Sequence, residues 1–118
     1  RMFGFNTADD DFFALAQHFL SVLDTQRRFM LRAVQVPAMQ AHLAASLQNR
    51  LLTLVARNLP DAESASFVVR SLCAVYLESG AMYLHAPQEN SIPRLCACIQ
   101  CACTGMVSAF APSRRIAV

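Results

Sequence analysis

The chain has 118 residues, 55% of them hydrophobic, which suits one domain with a real core and leaves no room for two. Its net charge of +2 comes from ten arginines scattered along the chain, with no lysine, and this excludes the dense basic stripe of a nucleic-acid footprint. No uninterrupted apolar run approaches the ~20 residues of a bilayer-spanning helix, and the opening RMFGFNTADDD lacks the basic-then-apolar pattern of a secretory signal, so the expectation is a soluble cytoplasmic protein that makes no membrane contact.

The first helix is expected to start at Thr7, a good cap, with Asp9, Asp10 and Asp11 in its first turn, where carboxylates favour the positive end of the helix dipole. Phe12, Leu15, Ala16, Phe19, Leu20, Leu23, Met30 and Val34 then recur at helical spacing, and Asp24 stands four before Arg28 on the outer face. The less apolar Asp24 to Arg28 segment leaves open one long helix or two shorter ones. A short connection at Gln35 and Val36 leads into a second helical stretch begun by Pro37, with Met39, Leu43, Leu47, Leu51, Leu54 and Val55 as its buried stripe, and Pro60 stops it.

Asp61 caps the central helix, which runs to His85 and is apolar nearly all round. Between Ala65 and Leu77 only Ser66, Arg70 and Ser71 stand out as polar, so this helix needs partners on more than one side. Gly80 in its interior costs about 1 kcal/mol relative to Ala and signals close packing or a bend. Residues 86–91 form a loop, with Asn90 or Ser91 capping a last helix that tolerates Pro93 in its first turn. Along that helix Ile92, Leu95, Cys96, Ile99, Cys103, Met106 and Phe110 form one row, and Arg94, Cys98, Cys101, Gly105 and Ser108 another. Pro112 is expected to end it, with a loose tail after Ser113. The fold class is therefore all-α, an antiparallel bundle of four to five helices.

Five cysteines, Cys73 and the run CACIQCAC from Cys96 to Cys103, are the most conspicuous chemistry. On a helix, successive residues lie about 100° apart, so Cys96 and Cys103 share a face nearly opposite Cys98 and Cys101, and one tetrahedral metal cannot collect all four. Buried or interface thiols acting as small hydrophobes account for them, and a Cys98 and Cys101 pair, or its copy across a dimer, is the remaining thiol or metal hypothesis. No metal site and no cofactor are assigned. Arg70 reads as a structural ion pair, as a guanidinium reaching the surface, or as a polar anchor for an anionic ligand. Tyr76 and Tyr83 share a face and read as core tyrosines with satisfied hydroxyls. His18, His42 and His85 are too far apart in sequence to suggest a site. No nucleophile and base arrangement, paired carboxylate motif or glycine-rich phosphate loop is present, so no catalytic residue is named and no enzyme activity is expected.

The order of an amphipathic helix with Arg27-Arg28-Phe29, a Pro37-led helix, PDAESASFVVRSLCAVYLESGAMYL and an Asn-Ser-x-Pro start to the last helix resembles the C-terminal effector-binding and dimerisation domain of tetracycline-repressor-type (TetR-like) transcriptional regulators. The resemblance extends from about Asp9 to Met106. It implies that Ala62 to Leu84 and Ile92 to Phe110 pair with their symmetry mates as a four-helix bundle in a homodimer, with Phe67, Ser71, Ala74, Cys98, Cys101 and Gly105 at the interface. By region, it places Phe19, Leu23, Phe29, Met30, Leu43, Leu47, Arg70 and Tyr76 around a pocket for a small hydrophobic or amphipathic effector. The family's N-terminal helix-turn-helix is not among these residues, so contact with DNA is expected only through a missing N-terminal domain. The initial Arg1 in place of Met suggests that upstream residues have been removed. A thiol- or metal-responsive domain and a ligand-free helical dimerisation module are the alternatives.

Overall fold

The Asp11 carboxylate accepts a hydrogen bond of 2.6 Å from the Ala14 amide and so caps the first helix, α1, Phe12–Thr25. The computed structural model describes residues 11–110; Thr7, Asp9 and Asp10, expected at the helix start, and Pro112 with the tail from Ser113 lie outside the described residues. Asp11 thus acts as the cap itself and not as a member of the first turn. Of the two alternatives for the first apolar stretch, two helices are present. Gln26, at φ −113° and ψ 35°, separates α1 from α2, Arg27–Ala33, although its amide still reaches the Val22 carbonyl.

Val36 is extended before Pro37, as a residue preceding proline must be, and Pro37 opens α3, Pro37–Ala56. Asn58 donates its side-chain amide to the Leu54 carbonyl as α3 ends, and Leu59 turns inward and is buried. Asp61 then accepts from both the amide and the hydroxyl of Ser64, at 2.9 and 2.7 Å, and starts α4, Ala62–His85. Asn90 turns back to donate to the Met82 and Ala86 carbonyls, satisfying acceptors that the end of α4 leaves open. Ser91 accepts from the Arg94 amide and caps α5, Ile92–Phe110. The two residues offered as caps for α5 therefore serve different helices.

These five helices form an all-α bundle, with α4 at the centre in contact with α1, α2, α3 and α5. Its buried residues, Ala65, Val68, Val69, Leu72, Cys73, Tyr76, Ser79, Gly80, Tyr83 and Leu84, are spread around more than one side, as a helix with several neighbours requires. The other stripes sit where the periodicity puts them. Leu15, Ala16, Phe19, Leu20 and Leu23 are buried on α1, and Leu43, Leu47, Leu51, Leu54 and Val55 on α3. On α5 the row Leu95, Cys96, Ile99 and Cys103 is buried, and Arg94, Cys98, Cys101, Gly105 and Ser108 are exposed.

Candidate functional site

α4 runs unbroken through Gly80. A Cβ at this position would lie 2.8 Å from Leu23 Cδ1 and 3.0 Å from Phe19 Cε2, so the missing side chain lets α1 approach the backbone of α4. Beside this contact lies a cavity of about 220 Å³. Phe19 and Leu23 of α1 form one wall, Leu43 of α3 and Val34 another, and Leu77, Gly80, Ala81 and Leu84 of α4 the third. The four α4 positions are separated by three, one and three residues, which places them along a single helical face. The most exposed lining side chains, Gln40 and His85, mark the rim.

Three hydrogen bonds hold the frame of this cavity. Gln40 donates its side-chain amide to the Val34 carbonyl and closes the turn between α2 and α3. The Arg27 guanidinium donates to the Leu84 carbonyl across 2.7 Å, tying the start of α2 to the last turn of α4, where carbonyls lack helical partners. Tyr83 donates its hydroxyl to Asp24, the residue whose spacing offered it to Arg28, and this bond holds the Tyr83 phenol protonated above its ordinary range. Arg27 keeps one buried nitrogen, Nε, without a partner.

The residues grouped by region as a pocket divide among several places. Phe19, Leu23 and Leu43 line the cavity. Leu47 is fully buried in the core, and Met30 is buried with only a narrow crevice beside it, shared with Phe29, which is 52% exposed. Arg70 is exposed and lines a separate, shallow groove between α3 and the first turns of α4, with Gln48, Asn49 and Pro60. Tyr76 is fully buried, packs edge-on against Phe19 with ring centroids 6.1 Å apart, and donates its hydroxyl to the Phe12 carbonyl at 2.8 Å. Val34, Gln40, Leu77, Gly80, Ala81, Leu84 and His85 were not anticipated as lining residues. The spacing of Leu77, Gly80, Ala81 and Leu84 was the available signal, because a small residue flanked by leucines on one face leaves room beside the backbone.

The thiols separate by environment. Burial pushes Cys73 and Cys96 upward and takes Cys103 to about 11, and the Cys103 thiol lies 4.0 Å from the Tyr76 hydroxyl. Cys98 and Cys101 are exposed on the outer face of α5. Among the described residues no group of three or more His, Cys, Asp or Glu side chains is placed to hold a metal ion.

The outer surface of the last two helices carries apolar side chains among polar ones. Phe67, 56% exposed, meets Phe110 with centroids 5.6 Å apart and rings tilted by 49°; Ala74 and Gly105 are exposed and Ser71 is half-buried. No described atom lies within 4 Å of where a Cβ on Gly105 would stand. By length and composition α4 and α5 are each apolar enough to cross a membrane, which the search for unbroken apolar runs did not register. Half of that apolar stretch is buried within the fold in α4, against 22% in α5. No protein-family model, curated protein or solved structure matches this chain.

Proposed function

We propose that this chain is the ligand-sensing and dimerisation domain of a TetR-type transcriptional regulator. The observation that carries the reading is the double use of α4. The helix lines a cavity with Leu77, Gly80, Ala81 and Leu84, and on a neighbouring face it exposes Ala74 and Phe67, the latter in contact with Phe110 of α5. A ligand in the cavity and a second copy on the outer face would therefore touch the same rigid element. That is the physical requirement for coupling two sites: the ligand must interact differently with two arrangements of an element that the partner also contacts.

In this reading the homodimer buries Phe67, an exposed aromatic anchor, with Ser71, Ala74, Cys98, Cys101 and Gly105, small side chains that let helices approach closely. Gly105 suits such an approach, since no described residue stands within 4 Å of where its Cβ would be. The effector is a small, largely apolar molecule. DNA is read by a helix-turn-helix outside these residues, whose spacing the bundle would set. The setting in this reading is the cytoplasm, with the apolar residues of α4 serving its contacts to α1, α2, α3 and α5.

Native mass spectrometry of the chain purified from cells tests the reading. A dimer carrying an organic adduct that is lost in a cavity-filling variant is the expected result. A monomer with no adduct, or a chain recovered only with the membrane fraction, would overturn it.

A further inference from the structure

We infer that the cavity between α1, α3 and α4 takes a small, uncharged ring compound of about ten non-hydrogen atoms carrying a single hydroxyl or carbonyl, a size scaled from dry cavities of about 150 Å³ that hold one benzene. This ligand class rests on the sensing reading above. Size, charge and shape each contribute to it.

The space is about 220 Å³, room for one substituted ring and too little for a fused polycycle. None of the side chains lining it belongs to Asp, Glu, Lys or Arg, so a carboxylate or ammonium would leave water without a partner of opposite charge. Phe19, packed over Gly80, brings an aromatic ring to the lining, a surface against which a flat molecule packs. Polar side chains occur at the rim alone. His85 is exposed there, and Gln40, with its amide nitrogen held by the Val34 carbonyl, has its amide oxygen as acceptor. A ligand hydroxyl at that end would be satisfied, and the rest of the molecule would remain among Leu23, Leu43 and Leu77.

The test is calorimetry on the 118-residue chain with four probes: toluene, 4-methylphenol, 4-methylbenzoate and 9-phenanthrol. The expected result is one 4-methylphenol per chain, bound about tenfold more tightly than the benzoate, since the anion loses its hydration without gaining a counter-charge. His85→Ala should weaken the phenol about fivefold, the size of one neutral hydrogen bond, and leave toluene unchanged. Ala81→Met, at a half-buried lining position, should abolish binding of both while leaving the melting temperature unchanged. Equal or tighter binding of the benzoate or the phenanthrol, phenol binding that survives Ala81→Met, or no binding of any probe at millimolar concentration would each overturn the inference. Sedimentation of the same samples separates the two levels of the account. A dimer that ignores every probe removes the ligand class and leaves dimerisation standing; a monomer that binds the phenol does the reverse.

Discussion

Gly80 and Leu23 meet so closely that an added Cβ would stand 2.8 Å from Leu23 Cδ1 and force that side chain to shift. The consequence is unusual because the atoms in the way, Leu23 and Phe19, themselves border the cavity and can move into it. Gly80→Ala gains about 1 kcal/mol of helix propensity and sets against it an overpacking cost of about 1–3 kcal/mol, lowered by that freedom. The expected net change is a loss of no more than about 2 kcal/mol in urea unfolding, together with loss of small-molecule binding. Gly80→Val, branched at Cβ, should cost about 3 kcal/mol or more by the same measurement.

Tyr76 is held at both ends, by Phe19 against its ring and by the Phe12 carbonyl at its hydroxyl. Tyr76→Phe keeps the packing and loses the bond, an expected cost of about 1 kcal/mol. Tyr76→Ala should cost about 3–5 kcal/mol, because it also opens a void in the centre of the bundle. Urea titrations with an unchanged m-value would show that both variants alter stability and not the denatured state.

Alkaline pH should destabilise the domain through the groups buried in its core. The Cys103 thiol moves from an ordinary 9.0 to about 11, chiefly through burial, and burial raises Tyr76 in the same direction. A folded-state value above the unfolded one favours the protonated form. This contribution is complete below pH 9 and is lost as pH rises through about 11. Stability measured from pH 8 upward should fall across that window, and Cys103→Ala should flatten the part of the fall due to the thiol, whatever its effect at neutral pH.

Arg27 and Leu84 join α2 to the last turn of α4. Arg27→Met keeps the apolar stem and removes the charge-assisted bond, worth about 1.5–3 kcal/mol, while also removing the unpartnered Nε that costs about 1 kcal/mol or more to bury. A net loss of about 1 kcal/mol is expected. Hydrogen exchange at the end of α4 should quicken, with the amides around Val68 to Leu72 protected as before.

Helix identity was legible because it depends on local spacing and on caps. The buried rows of α1, α3 and α5, the Asp61 cap and the stop at Pro60 follow from residues within a few positions of one another. The break at Gln26 was visible only as an alternative, since no proline or glycine marks it. The cavity was less legible. Phe19, Leu23 and Leu43 appear apolar in sequence whether they line a space or fill one, and Leu47 and Tyr76, with the same pattern, fill one. What separates them is the approach of α1 to α4 at Gly80, a contact between residues 57 positions apart in the case of Leu23 and Gly80. Arg70 could be read in sequence as a structural ion pair, a guanidinium reaching the surface or an anion anchor; it is exposed, because it stands at the helix angle that faces outward.

The central claim is that the outer face of α4 and α5 is covered by a second copy of the chain. Sedimentation equilibrium of the native chain and of Phe67→Asp tests this most directly, because Phe67 is more than half exposed and its own-subunit ring contact is Phe110, itself at the surface. The account predicts a dimer at micromolar concentration for the native chain and a helical, folded monomer for the variant. A native chain that sediments as a monomer at that concentration, or a dimer that Phe67→Asp leaves intact, would contradict it.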